Sequence, residues 1–199
     1  MSLPITVVLA SSNPGKMREI ERLLAHLDFT IVPQSDYGIE DAEETGTSFE
    51  ANAVIKARHA MRATGLPAIA DDSGLAVDAL GGRPGVYSSR YAGPRASDAE
   101  NVDKLLSELG DRKDRGAEFH CVACFMAPGL DTPILTHGSW RGEILRAPRG
   151  SGGFGYDPVF LDPGTGRASA ELDPEEKNAR SHRGIALRRL AEALGERYK

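Results

Sequence analysis

Hydrophobic positions along the chain follow two alternating rhythms. Val7 to Ala10 form a continuous apolar run of strand length, and Met17, Ile20, Leu23, Leu24 and Leu27 then recur at helical spacing. At the joint, Asn13 is a helix N-cap and Pro14 occupies the first helical position. "FTIVP" predicts a short strand, and "TGTSFEANAVIKARHAMRATG" predicts a helix opened by a capping box from Thr47 to Glu50 and closed by Gly65. "PAIA" is a strand ending at Asp71, "ADDSG" is expected to turn, and "GLAVDAL" resumes extended. "GGRPGVYSSRYAGP" reads as loop and "SDAENVDKLLSELG" as a capped helix. Two long β-rich segments follow, "AEFHCVACFMA" and "PILTHGSWRGEIL", with a turn between them at 128–132 and bulges expected at Gly138 and Gly142. After the glycine-rich "RGSGGFGYDP" come a strand, "VFL", a short helix and a terminal one.

Helices alternating with strands, then a long antiparallel pair, imply an α/β protein with a mixed sheet. No repeat, low-complexity segment or linker interrupts the chain, so one domain is expected over residues 1–199.

Composition narrows the partners. With 40% hydrophobic and 27% charged residues the chain is of ordinary globular type, and a formal net charge of -5 argues against a nucleic-acid polymer as ligand. The apolar run "ITVVLA" is too short for a signal-peptide core or a membrane span, so no membrane association and a cytoplasmic location are expected. Cys121 and Cys124 stand three apart in a predicted strand and so face opposite sides; two cysteines cannot complete a structural zinc site, and free buried thiols are expected.

Several groups could carry chemistry. The free amides at the start of the first helix, with its dipole, favour an anion. Lys16 opposes that dipole, which makes sense if a phosphate neutralises both; the segment alone equally admits a solvated lysine. The motif is not a P-loop, since Ala10 and Met17 stand where Gly and Ser or Thr are needed. Asp71 and Asp72 end a buried strand, where open α/β sheets bind ligands, and Glu43 and Glu44 precede the helix carrying Lys56. Hard oxygen ligands spread over two loops suit Mg²⁺ together with phosphate oxygens, although each acid could also simply build its turn. Asn52, Lys56 and His59 share a helix face. In "GSGGFGYDP" glycines flank Phe154, so the backbone can approach something flat while the ring stacks on it, unless Phe154 is only a core aromatic. "KNARSHRG" gathers Lys177, His182 and Arg183, donors for base carbonyls or for phosphate, with Ser181 expected as an N-cap.

Taken in order, "SSNPGKMREI", "AEETGTSFEANAVIKA", "ADDSGLAVDALGGRPGVYSSRYAG", "GGFGYDPVF" and "KNARSHRGIAL" closely resemble the inosine/xanthosine triphosphate pyrophosphatase family, over about Val7 to Leu190. The resemblance implies a long mixed β-sheet flanked by helices in two lobes with a central nucleotide cleft, and a homodimer. It implies Mg²⁺-dependent hydrolysis of deaminated purine nucleoside triphosphates to monophosphate and pyrophosphate. It also implies that Ser11, Ser12, Asn13, Pro14, Gly15, Lys16 and Lys56 hold phosphates, that Glu44 and Asp72 bind the metal, that Asp72 is the general base, and that Ser73 contacts substrate. Phe154, Gly155, Tyr156, Asp157, Lys177, His182 and Arg183 would form the base pocket. Ser11-Ser12 departs from the Thr-Gly of many members. Two other functions remain to be separated: hydrolysis of other modified nucleotides, such as pyrimidine triphosphates, and nucleotide binding without catalysis.

Overall fold

A computed structural model of the protein describes residues 4–197; residues 1–3 and 198–199, the ends of the expected 1–199 domain, lie outside the described residues. Its strands form a seven-stranded sheet in the order β2-β1-β3-β4-β5-β6-β7. The strands are β1 Ile5–Leu9, β2 Phe29–Pro33, β3 Ala68–Val77, β4 Gly116–Met126, β5 Ile134–Ile144, β6 Phe160–Asp162 and β7 Arg167–Ala168. β1 pairs in parallel with β2 and β3, whereas β5 with β6 and β6 with β7 are antiparallel, so the sheet is mixed as the pattern predicts. The helices are α1 Pro14–Leu24, α2 Phe49–Thr64, α3 Asp98–Leu109, α4 Pro174–Arg180 and α5 His182–Arg197.

Contacts divide the chain into two compact units. The first comprises residues 1–72, 121–138 and 183–199, and the second residues 73–120 and 139–182. In the first unit alternate strand residues feed two separate cores. Val7 and Leu9 of β1 join Cys121, Ala123 and Phe125 of β4 in one core, with Ile20 and Leu24 of α1 and Leu187 and Leu190 of α5. Val8 joins Val122, Cys124 and Met126 in the other, against Ala53, Ala57 and Ala60 of α2. The period of two thus places Cys121 and Cys124 on opposite faces, both buried and free. The alanine face of α2 packs in this core, and from the same helix Asn52 and Lys56 reach Asp72 within β3. The second unit has one core, in which Leu105 and Leu109 of α3 meet Phe119, Trp140, Ile144 and Phe160.

Three local expectations are corrected. "ADDSG" is not a turn: β3 runs unbroken from Ala68 to Val77 through both aspartates, because distant cations neutralise carboxylates that would otherwise resist burial. Helix α2 is capped by Ser48, whose Oγ accepts from Ala51 N at 3.2 Å, and not by Thr47; of the two neighbouring hydroxyls, Ser48 is the one whose carbonyl accepts the first helical bond, from Asn52 N. β5 continues through Gly138 and Gly142 as one strand. At Gly142 the need is for close approach, since a Cβ there would stand 2.4 Å from Leu161 O and 2.5 Å from Phe160 Cζ.

Candidate active site

The first unit gathers the phosphate and metal candidates. After β1 the chain turns at Ser11 and Ser12 into α1. Asn13 caps the helix as predicted, its Oδ1 accepting from Gly15 N at 2.8 Å and Lys16 N at 3.1 Å. Asn13 N donates to Ser11 Oγ, and Ser12 Oγ donates to Asp41. Lys16 is not a solvated side chain: its Nζ lies 3.3 Å from Asp71 Oδ2 and it is 17% exposed.

Strand β3 presents its two aspartates to different partners. Asp71 is wholly buried, and its Oδ2 accepts from Arg183 Nε at 3.2 Å while facing Lys16. Arg183 in turn donates from Nη1 to Glu19 Oε2 at 2.6 Å. Burial alone would raise the Asp71 pKa, but the charges of Lys16, Arg183 and Lys56 outweigh it and hold the carboxyl well below the ordinary carboxylate range. Burial similarly opposes the charge on Arg183, and Asp71 and Glu19 more than compensate, so it stays a fixed cation.

Asp72 Oδ1 accepts from Lys56 Nζ at 2.8 Å, and Glu44 Oε1 accepts from the same nitrogen at 2.9 Å. Burial raises the Asp72 pKa, with Lys56 opposing and the Glu44 charge adding to the rise. Burial would lower the Lys56 pKa, but Asp72, Asp71 and Glu44 together raise it. At Asp72 burial outweighs the neighbouring cations, whereas at Lys56 the three carboxylates outweigh burial.

Among the described residues no group of three or more His, Cys, Asp or Glu is placed to hold a metal ion. Glu44 and Asp72 nevertheless converge on one point, the Lys56 nitrogen. Two hard oxygen donors of this kind fit Mg²⁺, which takes its remaining ligands from water and phosphate.

The second unit holds the base candidates. Gly153, at φ 74°, starts the turn that carries Phe154 and Gly155, and a Cβ there would fall 2.0 Å from Asp157 Oδ2. That oxygen accepts from Phe154 N at 2.9 Å and from Lys177 Nζ at 2.7 Å, and Asp157 Oδ1 accepts from Ser169 Oγ at 2.8 Å. Lys177 Nζ lies 4.9 Å from the Phe154 ring centroid, a cation–π contact. Gly155 N donates to Asp98 Oδ2 at 2.6 Å, and Tyr156 Oη donates to Ser88 O at 2.8 Å. His182 stacks on Phe119 with centroids 4.6 Å apart. Ser73, directly after Asp72 in β3, begins this unit.

The structure therefore joins Lys16, Lys56, Glu44 and Asp72 in one cluster, and Phe154, Asp157 and Lys177 in another. Arg183 belongs with Asp71 and Glu19 in the first unit, while its sequence neighbours Lys177 and His182 belong to the second. Sequence reasoning missed Glu19, Ser169 and the role of Asp71. Asp71 was legible only as a candidate ligand at a strand end, and Glu19 pairs with Arg183, which is remote from it in sequence.

The profile of the Ham1 family matches residues 7–193 of the chain. The chain belongs to the Ham1 family. A relative named dITP/XTP pyrophosphatase, from Pectobacterium atrosepticum, is 59% identical over 191 residues, covering 94% of this chain and 97% of its own. The solved structure of a HAM1 protein from Coxiella burnetii is 52% identical with a TM-score of 0.89, covering 96% of this chain and 99% of that one. The Staphylococcus aureus Ham1 protein is 40% identical with a TM-score of 0.87, again over 96% and 99% of the two chains. The Ham1 match spans nearly the same residues as the motif resemblance. Among the described residues of this Ham1 member, no helix is long and apolar enough to cross a membrane.

Proposed function

We infer that this chain is a nucleoside-triphosphate pyrophosphatase that hydrolyses deaminated purine nucleoside triphosphates, ITP, dITP and XTP, to the monophosphate and pyrophosphate. The observation that carries the reading is the buried Asp72 carboxylate bonded to Lys56, with Glu44 on the same ammonium, in a Ham1-family chain. Asp72 takes a proton from water as its oxygen bonds to the α-phosphorus; the bond to the bridging oxygen breaks, and pyrophosphate leaves. Lys16 and Lys56, with the turn from Ser11 to Gly15, meet the charge that grows on the leaving pyrophosphate. Glu44 and Asp72 would hold Mg²⁺, which supplies charge neutralisation and a more acidic bound water.

The base is assigned to Phe154, Gly155, Tyr156, Asp157, Lys177, His182 and Arg183, with Ser73 also at the substrate. Hypoxanthine and xanthine present a 6-carbonyl to such donors, whereas adenine sets an amino donor against them, and a site built for one rejects the other by up to about 10⁴ to 10⁵. Arg183 enters this set by resemblance and also fixes Asp71. We further propose a cytoplasmic homodimer, each chain acting as one catalytic domain with no nucleic-acid polymer as partner.

A nucleotide panel with Mg²⁺ and product identification tests the reading. ITP, dITP and XTP should give monophosphate and pyrophosphate, with ATP a very poor substrate. Preference for modified pyrimidine triphosphates, release of IDP and orthophosphate, or binding without turnover would each contradict it.

A further inference from the structure

Asn52 lies in the first turn of α2 with its side chain wholly buried, at 0% exposure. A buried amide needs partners at both ends. Its Oδ1 accepts from Gly46 N at 2.9 Å, and its Nδ2 donates to Asp72 Oδ2 at 3.2 Å. The two partners demand the same orientation, since a flipped amide would set donor against donor at Gly46 and acceptor against carboxylate at Asp72. One helical turn on, Lys56 donates to the other oxygen of that carboxylate at 2.8 Å. Each Asp72 oxygen is thus held by a different side chain of one helix, which fixes the carboxylate plane.

The acceptor end of Asn52 organises the loop before α2. Gly46 follows Glu44 by two positions, and Glu44 shares the Lys56 ammonium. A Cβ on Gly46 would stand 2.6 Å from Asn52 Oδ1 and 2.8 Å from Ala51 Cβ, so the loop reaches the amide only because residue 46 has no side chain.

We propose that Asn52 is a positioning residue for the hydrolysis: it orients the Asp72 carboxylate toward the attacking water and ties the Glu44 loop to it. The inference rests on the reading of Asp72 as the base. Asn52 transfers no proton itself and acts only through the Asp72 carboxylate. Without its donor, Asp72 keeps Lys56 but is free to rotate about its carboxyl bond. The lysines that meet the phosphates stay in place, so the loss falls on the chemical step rather than on binding.

Two variants disturb the contact between Asn52 and Asp72. Asn52→Ala removes both contacts without adding a charge, whereas Asn52→Asp keeps an acceptor toward Gly46 N and sets a second carboxyl against Asp72. Both should lose about 10- to 100-fold in kcat on ITP, the usual cost of removing a group that orients a functional side chain, with KM within about threefold of wild type. Wild-type kcat in Asn52→Ala, or a loss confined to KM in that variant, would overturn the proposal. NMR of the wild-type protein tests the contact without turnover and without any variant. The Asn52 side-chain amide should be strongly protected from exchange with deuterated water, and a freely exchanging amide would overturn the proposal. An inactive wild-type enzyme with a protected amide would overturn the proposed reaction instead.

Discussion

Replacing Asp71 by asparagine removes one charge from a buried network with almost no change in shape. In the wild type, Asp71 Oδ2 meets Arg183 Nε at 3.2 Å and Lys16 Nζ at 3.3 Å, while Arg183 is itself buried and paired with Glu19. Removing one partner of a buried pair costs about 3–5 kcal/mol, because the remaining charge loses its compensation. Glu19 still serves Arg183, and the asparagine oxygen can still accept from Nε, so the lower end, about 3 kcal/mol, is expected. With a urea dependence of about 2 kcal/mol per molar, the midpoint falls by about 1.5 M. Far-UV circular dichroism and the fluorescence of Trp140, the sole tryptophan, follow the transition, and their coincidence checks that it is two-state. Adding Arg183→Met should restore at least about 1 kcal/mol, since removing both partners leaves less uncompensated charge. The effect has a defined pH dependence. The folded Asp71 carboxyl titrates below its ordinary value of 3.8, so its stabilisation is complete above that pH and is lost as pH falls below it, where the unfolded chain binds the proton first. The gap between wild type and Asp71→Asn should therefore be full at neutral pH and shrink in acid below 3.8. A loss under about 1 kcal/mol at neutral pH, or a gap that does not shrink in acid, would refute the reasoning.

Asp72→Asn should fold as the wild type does yet lose about 10² to 10⁴ in kcat on ITP, a deficit read directly from steady-state turnover. Lys177→Met removes the cation from Asp157 and from the face of Phe154, and should raise KM for ITP by about tenfold or more, the scale of one charged hydrogen bond. Burial pushes the Cys124 thiol up to about 12 and raises that of Cys121 as well, so a disulfide reagent at pH 8 should react with neither until the protein unfolds, and with both in denaturant.

Local signals in the chain sufficed wherever a residue's partner lies close in sequence. Asn13 caps α1, Ser97 and Glu100 form the capping box of α3, and Gly65 closes α2 in a left-handed conformation, all within one helical turn of what they satisfy. The alternation that sends Cys121 and Cys124 to different cores is equally local. Asp71 and Asp72 were the opposite case. Aspartates seldom sit inside a buried strand, and the partners that permit it, Lys16, Lys56 and Arg183, come from three separate helices. Turn chemistry was the better local reading and long-range charge pairing overrode it. Asn52 stood out only as part of a polar helix face, because an amide has no charge pattern to announce that it bridges a loop and a strand. Lys177 and Arg183 are six residues apart, yet α4 ends and α5 begins between them, and the boundary between the two units falls there as well.

The central claim is that water attacks the α-phosphorus with pyrophosphate as the leaving group. Hydrolysis of ITP in water enriched in oxygen-18, with Mg²⁺ present and the products separated for mass spectrometry, tests it most directly. The label should appear in IMP, one atom per turnover, with none in pyrophosphate. Label in pyrophosphate would mean attack at the β-phosphorus, and label in orthophosphate with IDP as co-product would mean attack at the γ-phosphorus; either result would contradict the account.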